Sequence, residues 1–231
     1  MALIPSFPAV HFDFGAIKEL APELAQRDIS KPLILTDQGV VEHGVLKKVT
    51  DVLPPRFECA FFDEIPENPT IDGIKRALRV YNEQKCDGIV SLGGGSVLDS
   101  GKALRVVATQ GGEVMDYLQD PSRIGPNVAP YITIPTTAGT GAEITFGGGI
   151  HPETNAPAMG IRSPYVKPDL AICDPELTTS LPPRLTAATG MDAVTHCVEG
   201  YLSINANAPA EAVALDGIHR AINFIDRAVH D

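Results

Sequence analysis

The 231-residue sequence contains no tryptophan, only four cysteines, and only 18 Lys and Arg against 29 Asp and Glu. The resulting net charge of −11 argues against partners that are bound through basic side chains, such as nucleic acids and anionic membranes. No apolar run approaches the roughly 18 residues of a transmembrane helix. The first fifteen residues also lack the basic and apolar regions of a signal peptide, so we expect neither a membrane span nor secretion.

The cysteines are widely separated and include no Cys-x-x-Cys pair that could hold zinc or catalyse thiol exchange. We interpret Cys59, Cys86, Cys173 and Cys197 as reduced, mostly buried thiols. This pattern is typical of a cytoplasmic protein.

Short apolar runs alternate with helical patterns, which predicts an α/β fold with a Rossmann-like, mainly parallel sheet. A polar, proline-rich hinge at 177–183 precedes a purely helical tail, so we expect a dinucleotide-binding domain over 1–180 and the beginning of a helical domain over 181–231. The predicted strands are 32–36, 57–62, 88–92, 131–134 and 169–173, and the predicted helices are 70–84, 97–108, 184–203 and 209–229.

Three consecutive glycines, Gly93 to Gly95, stand between a predicted strand and a predicted helix. Glycine lets a ligand approach the backbone closely, and the amino end of a helix attracts phosphate through its free N–H groups. The loop matches neither the G-x-G-x-x-G fingerprint nor a Walker loop, and a tight turn that binds nothing is the competing interpretation. We favour a pyrophosphate site.

Two further features follow predicted strands. The segment 134–143 is rich in threonine and glycine and could contact phosphate, ribose or amide groups, although such connections are common in α/β folds. Asp37 ends another strand, where a carboxylate could accept hydrogen bonds from a ribose diol and repel a 2′-phosphate, or could cap a helix. We therefore predict NAD rather than NADP as the ligand.

Asp192 and His196 are four residues apart on a predicted helix and so share one face. A carboxylate and an imidazole suit a divalent transition metal such as Fe²⁺ or Zn²⁺. On spacing alone, a surface or structural hydrogen bond explains the pair better, because a catalytic metal normally needs three or more protein ligands.

These stretches, in this order, resemble the iron-containing (group III) alcohol dehydrogenase family along essentially the whole chain. The resemblance implies a nucleotide-binding domain, a helical domain, a metal between them and reversible hydride transfer between an alcohol and NAD. It implies that Asp192 and His196 ligate the metal, and we expect a homo-oligomer of two or more copies. The markers are Gly93 to Ser96 with Asp99 and Lys102, Pro135 to Gly141, Asp174 to Leu177, and Gly190 to Ala193 with His196 and Glu199. The residues expected at the cofactor are Asp37, Gly94, Gly95, Ser96, Asp99, Thr136, Thr137 and Thr140.

The sequence departs from the family pattern in two places. Family members have two further histidine ligands on later helices, which this chain does not reach, so we expect a C-terminally truncated chain with a weak metal site. Ala158 stands where many members have a lysine beside the nicotinamide.

Two alternatives to an alcohol dehydrogenase stay open. One is a non-catalytic nucleotide-binding module or assembly subunit. The other is a related metal dehydrogenase that acts on a polyol, a hydroxy acid or maleylacetate. The sequence does not identify the substrate.

Overall fold

A computed structural model describes residues 6–230 of the protein and divides the chain into two compact units. The sheet unit comprises Phe7–Thr136 and Ala142–Thr179. The helical unit comprises Thr137–Gly141, Ser6 and the described residues from Ser180 onward.

The strands are short, and five of them coincide with the apolar runs of the sequence. The predicted strand 57–62 is too long, because the N–H of Phe57 donates to the carbonyl of Pro54 in a turn and pairing starts only at Ala60. The strands are β1 (Ala9–Phe12), β2 (Pro32–Leu35), β3 (Ala60–Phe62), β4 (Gly88–Gly93), β5 (Tyr131–Pro135), β6 (Gly147–Ile150), β7 (Met159–Arg162) and β8 (Leu170–Cys173).

The four predicted helices are present, and four shorter ones accompany them. The helices are α1 (Leu20–Gln26), α2 (Gln38–Glu42), α3 (Val45–Thr50), α4 (Ile71–Glu83), α5 (Gly95–Gln110), α6 (Val114–Gln119), α7 (Pro183–Leu202) and α8 (Ala208–His230). Among residues 6–230, no helix combines the length and the apolar character needed to cross a membrane.

Six strands form one parallel sheet in the order β1-β8-β5-β4-β2-β3, while β6 and β7 form an antiparallel pair. Every pairing in the larger sheet is parallel, which confirms the predicted α/β class. From β2 the chain first adds β3 on one side and then β4 on the other. The topological switch point of the sheet therefore lies between the carboxyl ends of β2 and β4.

Both faces of the sheet are covered. On β2, Leu33 and Leu35 belong to one apolar cluster with α4 and α5, whereas Ile34 belongs to a second cluster with α1 and α3. Successive strand side chains point to opposite faces, so a strand covered on both sides requires the continuous apolar run seen in the sequence.

In the helical unit, α7 and α8 pack against each other as a hairpin. Glycines permit the close approach: a Cβ at Gly190 would lie 2.7 Å from Ile225 Cδ1, and one at Gly217 would lie 2.6 Å from Cys197 Sγ. Ala214 is the one hydrophobic side chain of α7 and α8 that is buried, among the residues that the structure describes.

Candidate functional site

The glycine loop leads directly from β4 into α5. Gly93 ends the strand, Gly94 caps the helix, and α5 begins at Gly95. A Cβ at Gly93 would lie 2.7 Å from Val97 Cγ2, so this position requires glycine. The amides of Val97 and Leu98 both donate to the carbonyl of Gly94. The amides of Gly95 and Ser96 therefore precede the first intrahelical hydrogen bond, at the end of the helix that attracts anions.

Asp37 lies on the opposite side of the switch point, separated from the end of β2 only by Thr36. Its Oδ1 accepts a hydrogen bond from the N–H of Val40 at 2.9 Å, so the side chain caps α2. Its Oδ2 lies 3.3 Å from the place that a Cβ at Gly93 would occupy. The two interpretations of Asp37 are thus compatible, because one oxygen caps the helix while the other faces the glycine loop.

The neighbouring strand β5 extends the same edge of the sheet. Pro135 pairs with Gly93, and the N–H of Thr136 donates to the carbonyl of Gly93 at 3.1 Å. Ser96, in the first turn of α5, donates its hydroxyl proton to the carbonyl of Glu67. The carboxyl ends of β2, β4 and β5 therefore bring together five of the residues that the sequence predicts at the cofactor: Asp37, Gly94, Gly95, Ser96 and Thr136.

A buried ion pair lies further along α5. Lys102 is fully buried, and its ammonium donates to Asp99 Oδ1 at 2.9 Å, to Thr145 Oγ1 at 2.8 Å and to the carbonyl of Gly147 at 2.7 Å. The other oxygen of Asp99 accepts a hydrogen bond from the N–H of Gly149 at 2.9 Å. Both groups thus attach α5 to β6.

Burial is the largest influence on the pKa values of Lys102 and of the neighbouring Glu143. Burial lowers the pKa of Lys102, and the neighbouring carboxylates Asp99 and Glu143 oppose that change. Burial raises the pKa of Glu143, while its own backbone amide and Lys102 act in the opposite direction. In the sequence, Lys102 is one of the markers of the family resemblance and Glu143 lies in the segment 134–143, but neither is predicted to have a role. The one local signal was a lysine inside the otherwise apolar stretch Gly101 to Leu104.

In the helical unit, the segment Thr137–Gly141 packs against α7. A Cβ at Gly139 would lie 2.8 Å from the carbonyl oxygen of Thr189, so the loop needs glycine there. This segment carries Thr137 and Thr140. With Asp99 on α5, these two complete the set of residues that the sequence predicts at the cofactor.

Asp192 and His196 project from α7 as the spacing predicts. Asp192 Oδ2 lies 3.7 Å from His196 Nδ1, and His196 is exposed. The pair fits a divalent transition metal in the chemistry of its donors but not in their number, since three or more protein donors are normally required. Residues 6–230 contain no cluster of three or more His, Cys, Asp or Glu side chains that could hold a metal ion.

The fold described above agrees with comparisons to known proteins. The family model for "iron-containing alcohol dehydrogenase" matches residues 8–175. The chain belongs to this family. The matched residues include the glycine loop and Asp37, whereas Asp192 and His196 lie beyond them.

Relatives match over almost the whole chain. A 4-hydroxybutyrate dehydrogenase from Cupriavidus necator is 42% identical over 234 residues, which cover 100% of this chain and 61% of the relative. An alcohol dehydrogenase from Oenococcus oeni has a TM-score of 0.93 at 28% identity, again over 100% of this chain and 61% of that chain. A sulfoacetaldehyde reductase from Bifidobacterium kashiwanohense, solved in complex with NAD⁺, has a TM-score of 0.92 at 25% identity. The match covers 100% of this chain and 61% of the reductase. The chain thus spans about 60% of the length of these relatives.

Ala158 is the position at which the sequence is expected to depart from the family pattern in a cofactor contact. It is exposed and precedes β7, and its Cβ lies 3.6 Å from where a Cβ at Gly149 would be. The methyl group offers no charge and no hydrogen bond to a cofactor.

Proposed function

We propose that this chain carries the NAD-binding part of a metal-dependent alcohol dehydrogenase, which transfers hydride reversibly between a small alcohol and NAD. The observation that carries the proposal is the switch-point crevice, with Asp37 on one side and the glycine loop with the amino end of α5 on the other. The NAD⁺ complex of the similar reductase supports the choice of cofactor.

The residues present fit a dinucleotide. The amides of Gly95 and Ser96 would bind the pyrophosphate, because they lie at the positive end of a sixteen-residue helix. The free oxygen of Asp37 would accept hydrogen bonds from the adenosine ribose and would repel a 2′-phosphate. The threonines Thr136, Thr137 and Thr140 would contribute hydroxyl and amide groups to the rest of the cofactor. Bound NAD would supply the hydride acceptor.

A metal would lower the pKa of the substrate hydroxyl, so that the hydroxyl proton is lost more readily and hydride transfer to NAD then gives the carbonyl product. Asp192 and His196 would be two of its ligands. Since the described residues include no cluster of three or more such donors, this pair alone does not make a catalytic metal site. We further propose that the protein is cytoplasmic and forms a homo-oligomer.

A binding titration tests the proposal. We expect NADH to quench or shift its own fluorescence on binding to the 231-residue chain, with an affinity clearly above that of NADPH. Binding of neither nucleotide would contradict the proposal, and an equal or higher affinity for NADPH would contradict the role of Asp37. Binding without alcohol-dependent NAD reduction in a metal-loaded preparation would favour the alternative of a non-catalytic nucleotide-binding module.

A further inference from the structure

The first feature that points beyond this function is that the Lys102 ammonium makes three hydrogen bonds, as many as it has N–H groups. A fully buried ammonium loses its hydration, so it needs a partner for each N–H. Lys102 has three partners, and they are a carboxylate on its own helix, a side chain of the segment before β6 and a backbone carbonyl of β6. A single cation thereby links α5 to a segment more than forty residues later.

The second feature is one edge of β6, whose backbone groups form hydrogen bonds with the Lys102–Asp99 pair. Lys102 binds the carbonyl of Gly147, and Asp99 binds the N–H of Gly149. Residues two apart along a strand present their backbone groups to the same edge. The Lys102–Asp99 pair therefore takes the place of a neighbouring strand along the edge of β6 that does not pair with β7.

The third feature is how closely β6 approaches α5. A Cβ at Gly148 would lie 2.6 Å from Asp99 Cγ, so the strand lies directly on the carboxylate. The three successive glycines of β6 have a weak preference for strand structure and no side chains that could pack. The hydrogen bonds from the Lys102–Asp99 pair therefore help to hold this strand in place.

We propose that Lys102 is a positioning residue for the nucleotide site. It acts through Asp99 and the edge of β6, holding the segment 145–149 against the first two turns of α5. These are the turns whose amino end carries Gly95 and Ser96. The inference rests on the proposed function, because it concerns the same nucleotide site.

The test separates positioning from general stability. Lys102→Met keeps the length of the side chain and removes the charge, which leaves Asp99 without its cation. The double variant Lys102→Met/Asp99→Asn removes both charges, and the amide oxygen at position 99 can still accept the Gly149 N–H. We expect the double variant to recover much of the thermal stability lost in Lys102→Met. We also expect the Kd for NADH to be raised by about tenfold both in Lys102→Met, which leaves Asp99 itself in place, and in the double variant. Removing the outer partners of the ligands in metal sites costs about the same factor or more.

Two further variants keep the test decisive. Thr145→Val removes one of the three ammonium contacts at an exposed residue, so it tests the link even if Lys102→Met fails to fold. We expect a smaller rise in the NADH Kd, together with faster amide exchange at Gly149. Lys75→Met is the matched control, because it breaks an exposed ion pair with Glu113 away from the switch point. It should leave the Kd unchanged.

The outcomes distinguish the two proposals. If the unaltered chain binds NADH and the double variant binds it equally well, Lys102 has only a structural role and the inference is overturned. An unchanged Kd in Thr145→Val would also contradict it. If the unaltered chain binds no NADH, the proposed function itself fails.

Discussion

Asp37 performs two tasks that a conservative substitution can separate. Its Oδ1 caps α2, and its Oδ2 lies beside Gly93. Asparagine caps helices as well as aspartate does, so Asp37→Asn should leave the unfolding temperature unchanged. We expect the ratio of the NADPH and NADH dissociation constants to fall by about tenfold, because a hydrogen bond to a charged group contributes about 1.5 kcal/mol or more. Fluorescence titration with both nucleotides measures the ratio.

The control for this substitution is Asp51→Asn, which removes a carboxylate from an exposed ion pair with Lys47. It alters the net charge by the same amount and should leave the preference for NADH unchanged. An Asp37→Asn protein that still rejects NADPH would show that another group discriminates the 2′-phosphate.

Residues differ in how far the sequence could predict their part in the candidate site. The position of Asp37 and the glycine loop followed from local patterns, since each lies at the end of an apolar run. The contact between Lys102 and Thr145 joins residues 43 apart. No local pattern indicates such a contact, and it became visible only in the folded chain. Whether the predicted residues bind NAD or metal stays a prediction.

At the scale of elements, the strands with apolar side chains on both faces were predicted from the sequence. Strands without such a continuous apolar run were missed. β2, β4 and β5 are buried throughout and were predicted. β1 is mostly exposed, with Phe12 and Val10 facing outward, so it lacks the apolar run of a central strand. β6 was missed because glycines carry no hydrophobic pattern, and its order comes from α5.

A pH-dependent contact attaches β1 to α1. His11 on β1 lies 2.6 Å from Glu23 on α1, and Arg27 also binds Glu23. Burial raises the pKa of Glu23, but hydrogen bonds from His11 and Arg27 outweigh this effect and hold the pKa below its usual value of 4.5. Because the folded pKa is depressed, the stabilisation is complete above pH 4.5 and is lost as the pH falls through the lowered value.

Glu23→Gln should therefore destabilise the protein at pH 7 by about 1 kcal/mol or less, as is usual for ion pairs near the surface. The difference from the unaltered chain should shrink as the pH falls below 4.5. Urea unfolding at a series of pH values measures it, with the exposed Glu42→Gln as control. A difference that is constant across this range would mean that the charge of Glu23 is unimportant.

At the scale of the whole molecule, the two units bury apolar surface very differently. The sheet unit has an extensive apolar cluster on each face of the sheet. On the helical unit, large apolar side chains such as Leu202, Val213 and Ile222 are mostly exposed. The predicted nucleotide contacts within the sheet unit therefore rest on a well-packed scaffold.

This difference predicts that nucleotide and metal binding are separable in this chain. Two protein donors should hold Zn²⁺ or Fe²⁺ weakly, so dialysis should leave less than one equivalent of metal, and Asp192→Ala should remove the remainder. Treatment with a chelator should change neither the NADH dissociation constant nor the unfolding temperature. Elemental analysis and nucleotide titration on the same samples check both statements. Stoichiometric metal that survives dialysis and the Asp192→Ala substitution would show that the ligands lie elsewhere. A loss of NADH affinity on chelation would show that the sheet unit needs the metal to bind its nucleotide.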